Sequence, residues 1–236
     1  MKDTAVRTMF ETIAPSYDFQ NSFLSLRRDV YWRRALAESL VLTRGDTVLD
    51  VAVGTAETAL AIGERHPGVR VVGVDFSPAM LAVGRKKIAG RRSGTNIRLT
   101  AGDGRWLPIR SGSVAAVTIS FGIRNINERS VALAEFHRVL QPGGRLLVME
   151  FSYPDQPLLY RLYRFYFDHI LPPVGNLLSR TDYAYSYLAE SVEDFPRDAN
   201  FVAEIAAAGF TDVSVKKLTF GISKIFAGRK KQGVAI

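Results

Sequence analysis

"VLDVAVGTAETAL", residues 48–60, is the stretch on which the reading of this chain turns. Val48 and Leu49 run into Asp50, the small residues Ala52-Val53-Gly54-Thr55 follow, and a helical pattern begins at once. That is the strand, tight turn and helix that open a ligand-binding α/β sheet. Free N–H groups at the helix start hold anions and polar ligand groups. A dinucleotide needs a turn with several glycines, G-x-G-x-x-G, so that the backbone can approach a pyrophosphate. This turn offers Gly54 alone. It therefore suits a ligand without a pyrophosphate, or it is a structural turn that holds nothing.

Short β-rich runs continue on both sides of it. "TVLDVA", "RVVGVD", "IRLTAG", "VAAVTIS" and "RLLVMEF" alternate with helical patterns between residues 45 and 151. Such alternation predicts an α/β fold, a mostly parallel twisted sheet with helices on both faces. The dense Val, Ile and Leu content suits strands buried on both sides. In "FSPAMLAVGRKK" Ser77 is placed to cap a helix that Pro78 opens. "ERSVALAEFHRVLQPGG" carries Leu133, Phe136 and Leu140 at helical spacing and stops at Gln-Pro-Gly-Gly. "SVEDFPRDANFVAEIAAAGF" reads as a helix ended at Gly209, and "DVSVKKLTF" and "ISKIFAGRK" as an antiparallel pair at one sheet edge. The chain is expected to be one domain. Residues 1–44 form a helical N-terminal cover, 45–151 the cofactor-binding core, 152–195 a helical insertion for substrate, and 196–236 the last helix and edge strands.

At 236 residues, 47% of them hydrophobic and 23% charged, the chain can fill a full core. There is no cysteine, so disulfides, thiolate catalysis and Cys-based zinc sites are excluded. His66, His137 and His169 are scattered, and no metal site is expected. The start "MKDTAVRTMFETIAPSYD" has no apolar signal region, and no apolar run reaches membrane-spanning length. A cytoplasmic location follows as an expectation. The net charge of +8 suits an anionic partner: nucleic acid, a phospholipid surface or an acidic substrate. Equally, Arg27, Arg28, Arg33, Arg34 and "GRKK" at 228–231 are ordinary solvated charge.

The strand ends carry the chemistry. Asp50 ends the first strand, and Asp75, 25 residues later, ends the second. A carboxylate there can take both hydroxyls of a ribose. The alternative is a helix cap, for which Ser77 is better placed. After the third strand Asp103 can accept from an adenine amino group, with Gly104 leaving room for the ring. Ser120 closes the fourth. Ligands of open α/β sheets bind at these carboxyl ends. A ribose, an adenine and an amino-acid tail, with no pyrophosphate, describe S-adenosylmethionine. Its tail would approach the backbone at Gly54 and find hydrogen bonds at Thr55.

With these residues in place, the chain resembles the Rossmann-like class I S-adenosylmethionine-dependent methyltransferases. It is most similar to the quinone-biosynthesis C-methyltransferases, which methylate demethylmenaquinol and the related ubiquinone precursor. The resemblance rests on "MFETIAPSYDFQN", "YWRR", "SFGIRNI", "FHRVLQPGGRLLVMEFSYP", "HILPPVG" and "YLAESVEDFP", in order across nearly the whole chain. Two departures stand out. Val53 and Ala56 replace glycines of the usual "GGTGD", with Glu57 for its Asp, and Arg27-Arg28-Asp29 replaces a Gly-x-His before the Trp. Added Cβ atoms narrow the cofactor turn.

The resemblance implies methyl transfer to the ring carbon of a polyprenyl quinol, and it singles out the acceptor-side residues. Arg124 can stabilise a phenolate but is a poor base, its pKa being very high. Asn125 can orient the ring or a water. Tyr17 and Asp18 can close over the site, with Asp18 a proton acceptor through water, and His169 is another candidate. Each has a structural alternative: Tyr17 as packing, Asp18 as a helix cap, His169 as a satisfied buried histidine. In "LLYRLYRFYFDHILPPVGNLL" (158–178), Arg161, Arg164 and Asp168 form one polar stripe and the rest is apolar. This helix can wall a channel for the tail, touch the inner face of a membrane peripherally, form a homodimer contact, or pack on the core. Three further readings compete. A methyltransferase of RNA or of another small molecule is one, but no nucleic-acid-binding module is visible. An NAD(P)-dependent dehydrogenase would want more glycines, and a scaffold would not need polar groups at four strand ends.

Overall fold

The computed structural model describes residues 2–170, 173 and 184–233. The strands are β1 (Thr47–Val51), β2 (Arg70–Asp75), β3 (Ile97–Ala101), β4 (Val114–Ser120), β5 (Leu140–Phe151), β6 (Phe210–Leu218) and β7 (Ser223–Lys230). They form a seven-stranded sheet in the order β3-β2-β1-β4-β5-β7-β6. The five apolar runs are β1 to β5, and all pair in parallel. β7 lies antiparallel between β5 and β6. The expected antiparallel pair thus closes one edge, and the reversed strand is the inner of the two. The order turns back between β1 and β4, which opens a crevice at their carboxyl ends.

The helices are α1 (Lys2–Ile13), α2 (Tyr17–Leu24), α3 (Arg28–Ser39), α4 (Glu57–Arg65), α5 (Pro78–Ala89), α6 (Arg129–Val139), α7 (Pro157–Phe165), α8 (Ala184–Glu193) and α9 (Asp198–Ala207). Alternation along β1 sends Val48 into one core and Leu49 into another. The first core takes Leu36 of α3, Leu60 of α4 and Leu81 of α5. The second takes Phe136 of α6 and Phe201 of α9, both fully buried. Truncating either Phe to Ala would cost about 3–5 kcal/mol. Ser77 caps α5 as expected, its hydroxyl accepting from the Met80 N–H at 3.3 Å.

Two helix readings need correction. Leu140 does not close α6. Its backbone is extended (ψ 136°) and it pairs with Val114, opening β5. Gln141 precedes a proline, which disfavours helical backbone, so the helix stops one step earlier. The single helix expected up to Gly209 is two, the end of α8 and all of α9. Pro196 forces Phe195 out of the helical region, and extended Arg197 (ψ 157°) restarts the chain.

A third apolar cluster sits over the strand ends. Met9 and Ile13 of α1 meet Met80 of α5, Phe167 and Val192 of α8 there, with Tyr17, Tyr153 and Tyr163 packed alongside. The N-terminal helices, the turn carrying Phe167 and α8 thus share one roof. α7 continues as a wider turn over Tyr166–Ile170. Its Tyr163 side packs inward, while Leu158, Leu162 and Phe165 point to solvent, Leu158 being 70% exposed. Arg164 of the polar stripe pairs with Glu193 at 3.0 Å. Most of "HILPPVG" lies outside the described residues. Among those described, no helix is long and apolar enough to cross a membrane.

Candidate active site

The turn after β1 is wound tightly. Ala52 (φ 50°), Gly54 (φ 54°) and Ala56 (φ 70°) all adopt the left-handed conformation. For alanine this costs about 1 kcal/mol each, whereas glycine adopts it freely. Ala56 therefore sits where a glycine would relieve strain. Val53 is different: it is buried and its N–H donates to the Val74 carbonyl at 3.1 Å. Its side chain fills the space beside Gly73, where a Cβ would lie 2.8 Å from Val53 Cγ2. The added bulk of Val53 is matched by a glycine on the neighbouring strand.

Beyond the ends of β1, β2 and β4 lies a cleft. Gly54, Asp75, Asp103, Gly104, Ser120 and Asn125 all line it. Asp75 is buried, with one oxygen accepting from the Gly54 N–H and the other from the Ser77 N–H, both at 2.8 Å. Burial raises its pKa, and those backbone donors offset part of the rise. Asp103 is partly buried, which pushes its pKa up. Arg105 outweighs this with hydrogen bonds at 2.7–3.2 Å and its charge, so the carboxyl ends below its usual range. Ser120 Oγ is buried and has no hydrogen-bond partner. Asp50 and Thr55 stand behind the cleft wall. Asp50 accepts from Thr118 Oγ1 at 2.7 Å, and its Oδ2 is buried without a partner. Burial lifts its pKa to about 7, against the Thr118 hydroxyl and the charge of Arg33.

Next to the cleft is a mostly apolar cavity of about 460 Å³, within the range of small-molecule sites. Phe10, Tyr17 and Phe121 line both spaces, so they form the partition. Arg124 enters the cavity, its Nη1 donating to Glu150 Oε1 at 2.7 Å and to the Phe121 carbonyl at 2.5 Å. Its Nε reaches Ser191 at 3.3 Å. Glu150 is 0% exposed, and burial raises its pKa although Arg124 pulls the other way. Asn125 Oδ1 accepts from Tyr187 Oη at 3.0 Å. Tyr17 is partly buried in the partition. Desolvation raises its pKa despite the nearby charge of Arg124, so it is a neutral phenol at pH 7.

The other two acceptor-side candidates lie elsewhere. Asp18 lines neither space. One oxygen accepts from Thr55 Oγ1 and the other from Lys87 Nζ, both at 2.5 Å, and Lys87 also holds Glu57 at 2.7 Å. This polar latch ties α2 to the cofactor turn and to α5. His169 is exposed and stacks on Phe165, ring centres 4.9 Å apart. Sequence reasoning missed Glu150, Tyr187 and the Asp29–Arg33 pair in the cavity wall. Glu150 carried a signal, a single charge inside the apolar run "RLLVMEF". Asp29 and Arg33 carried one too, opposite charges at i, i+4 on a helix. Nothing local marked Tyr187. Of the departures at 27–29, Arg27 takes a left-handed φ of 61°, natural for glycine, and Asp29 joins that buried pair.

Sheet order, crevice and partition define a class. The structure of a Thermotoga maritima S-adenosylmethionine-dependent methyltransferase, a possible histamine N-methyltransferase, superposes with a TM-score of 0.66. It is 17% identical, with 94% of this chain and 100% of that one covered. A Haemonchus contortus phosphoethanolamine N-methyltransferase in complex with S-adenosylmethionine gives 0.62 at 16% identity, over 86% and 53% of the two chains. The fold is that of the class I methyltransferases. The particular family follows from sequence: the profile of the ubiE/COQ5 methyltransferase family matches residues 1–230, and the chain belongs to that family. It is 44% identical over 230 residues to the ubiquinone/menaquinone biosynthesis C-methyltransferase UbiE of Geobacter sulfurreducens, covering 97% of this chain and 90% of the relative. It is 44% identical over 220 residues to the demethylmenaquinone methyltransferase of Thermus thermophilus, covering 93% and 99%.

Proposed function

We propose that this protein is an S-adenosylmethionine-dependent C-methyltransferase that methylates the quinol ring of a polyprenylated quinone precursor, with demethylmenaquinol as the first candidate. The observation that carries it is the pair of spaces sharing the Tyr17–Phe121 partition, with Arg124 on the acceptor side. The cleft residues fit the cofactor. Asp75, which lines the cleft after β2, would take the ribose diol, Asp103 after β3 the adenine amino group, and Ser120 Oγ, buried without a partner, a further polar group. Bound there, S-adenosylmethionine supplies an electrophilic methyl group. The ring carbon becomes nucleophilic when the neighbouring hydroxyl gives its proton to solvent at the cavity's exposed Phe23–Leu26 mouth, and the ring carbon's own proton leaves to solvent once the methyl group has been added. Arg124 stabilises that oxygen's negative charge, and buried Glu150 holds the guanidinium in place. Tyr17 and Asn125 orient the ring, and the partition keeps water from the transfer path. Asp18 is a positioning residue in the latch, and His169 has no part.

The chain works as one methyltransferase domain, with 1–44 as cover and 152–195 as substrate wall. The tail leaves the cavity past Phe23 and Leu26, which line it and are exposed, Leu26 by 84%. Arg27 and Arg28 flank that tip. Apolar tip, flanking charge and the Leu158–Phe165 face suit peripheral contact with the cytoplasmic face of an anionic membrane. A homodimer would bury the same face, and sedimentation without lipid separates the two.

Methyl transfer to a panel of demethylated quinols, in detergent under reducing conditions, tests the function. Transfer to a tailed naphthoquinol or benzoquinol is expected. Binding of NADH but not S-adenosylmethionine in calorimetry would overturn it.

A further inference from the structure

The acceptor cavity has two charged poles, and the mechanism above uses only Arg124. The second is Arg33 with Asp29, one turn apart on α3 and both buried. Arg33 Nη1 donates to Asp29 Oδ2 at 2.5 Å. The same carboxylate accepts from Ser25 Oγ at 2.9 Å and from Ser22 Oγ at 3.2 Å. Asp29 is thus saturated, and it fixes the guanidinium. Arg33 is not saturated: among the described residues its one hydrogen bond is that from Nη1 to Asp29, although its charge also acts on buried Asp50. Its guanidinium carbon lies 5.9 Å from the ring centre of Phe121, a residue of the partition.

A guanidinium is costly to place in an apolar wall unless its donors are used. An apolar side chain would fill the same wall without that cost. Spare planar donors beside a ligand cavity fit an oxygen on the ligand. Ring methylation by itself needs only the hydroxyl next to the reacting carbon, which Arg124 serves. We propose that Arg33, positioned by Asp29, binds the second ring oxygen, distal to the methylated carbon, and so selects dihydroxy rings over monophenols. This rests on the quinol reading of the cavity.

The test compares a short-tailed demethylated quinol with its analogue lacking the distal hydroxyl, both reduced, reading kcat/KM for each. R33M is expected to cut the preference for the dihydroxy ring by about tenfold or more, and R33K to restore part of it. Taking the ratio cancels the difference in reactivity between the rings. The D29N/R33M double variant removes both charges together and carries the same expectation if R33M alone fails to fold. Calorimetric S-adenosylmethionine binding reports that the fold is intact. Equal loss on both rings, or a preference that survives in R33M, overturns the inference. No transfer to either ring by the wild type overturns instead the function on which it rests.

Discussion

Asp75 and Arg124 stand on opposite sides of the Tyr17–Phe121 partition, and they are held in opposite ways. Backbone N–H groups of Gly54 and Ser77 hold Asp75. Side chains from β5 and α8, Glu150 and Ser191, hold Arg124, together with the Phe121 carbonyl. A group fixed by backbone at a strand end is set by its local turn. A group fixed by distant side chains depends on the whole roof being assembled. The cofactor side is therefore robust and the acceptor side tunable.

Arg124→Ala presses hardest on this contrast. Turnover should fall by about 10²–10³ with cofactor affinity unchanged, as when a preorganised charge-stabilising donor is lost. Equal loss of affinity, seen by calorimetry, would move Arg124 to the cofactor side. Asp75→Ala should do the converse, weakening S-adenosylmethionine by about 10–100-fold, the worth of charge-assisted hydrogen bonds. Unchanged affinity in a folded variant would remove Asp75 from ribose binding.

Asp50 gives a pH signature. Its folded pKa of about 7 lies above the usual 3.8, because burial disfavours the charged form. The group's contribution to stability is complete below about pH 4 and is lost as pH rises through 7. Asp50→Asn should therefore gain about 4 kcal/mol more at pH 8 than at pH 4, in denaturant melts at both values. A gain of the same size at both would remove titration as the cause. The smallest effect is expected at Ala56. Glycine there should relieve about 1 kcal/mol of left-handed strain, raising the melting temperature by a few degrees. A lower melting temperature would show that the turn needs its Cβ.

The same contrast explains what was legible. Five strands and their parallel pairing followed from apolar runs, because each run is a local pattern, whereas the order of the strands in the sheet did not. That Asp75, Asp103, Gly104 and Ser120 line one cleft followed because strand ends converge in any parallel sheet. Asp50 lies one residue before a strand end, yet its side chain turns to the α4 side beside Thr118, a choice of strand face that its position alone did not show. Thr55 lies outside the cleft lining, its hydroxyl taken by a longer-range contact, the latch to Asp18 across 37 residues. The acceptor side is made almost wholly of such events. Glu150 meets Arg124, and Tyr187 meets Asn125, across 26 and 62 residues. His169 was chosen for its chemistry, and its place on the outer side of the turn after α7 was not visible in one sequence.

The most direct measurement follows a deuterated methyl group from S-adenosylmethionine into a reduced, demethylated tailed quinol, with the product's labelled position read by mass spectrometry and NMR. Arg124 beside the partition predicts the label on the ring carbon next to a hydroxyl. Label on a quinol oxygen, or no transfer by protein that binds S-adenosylmethionine, would contradict it.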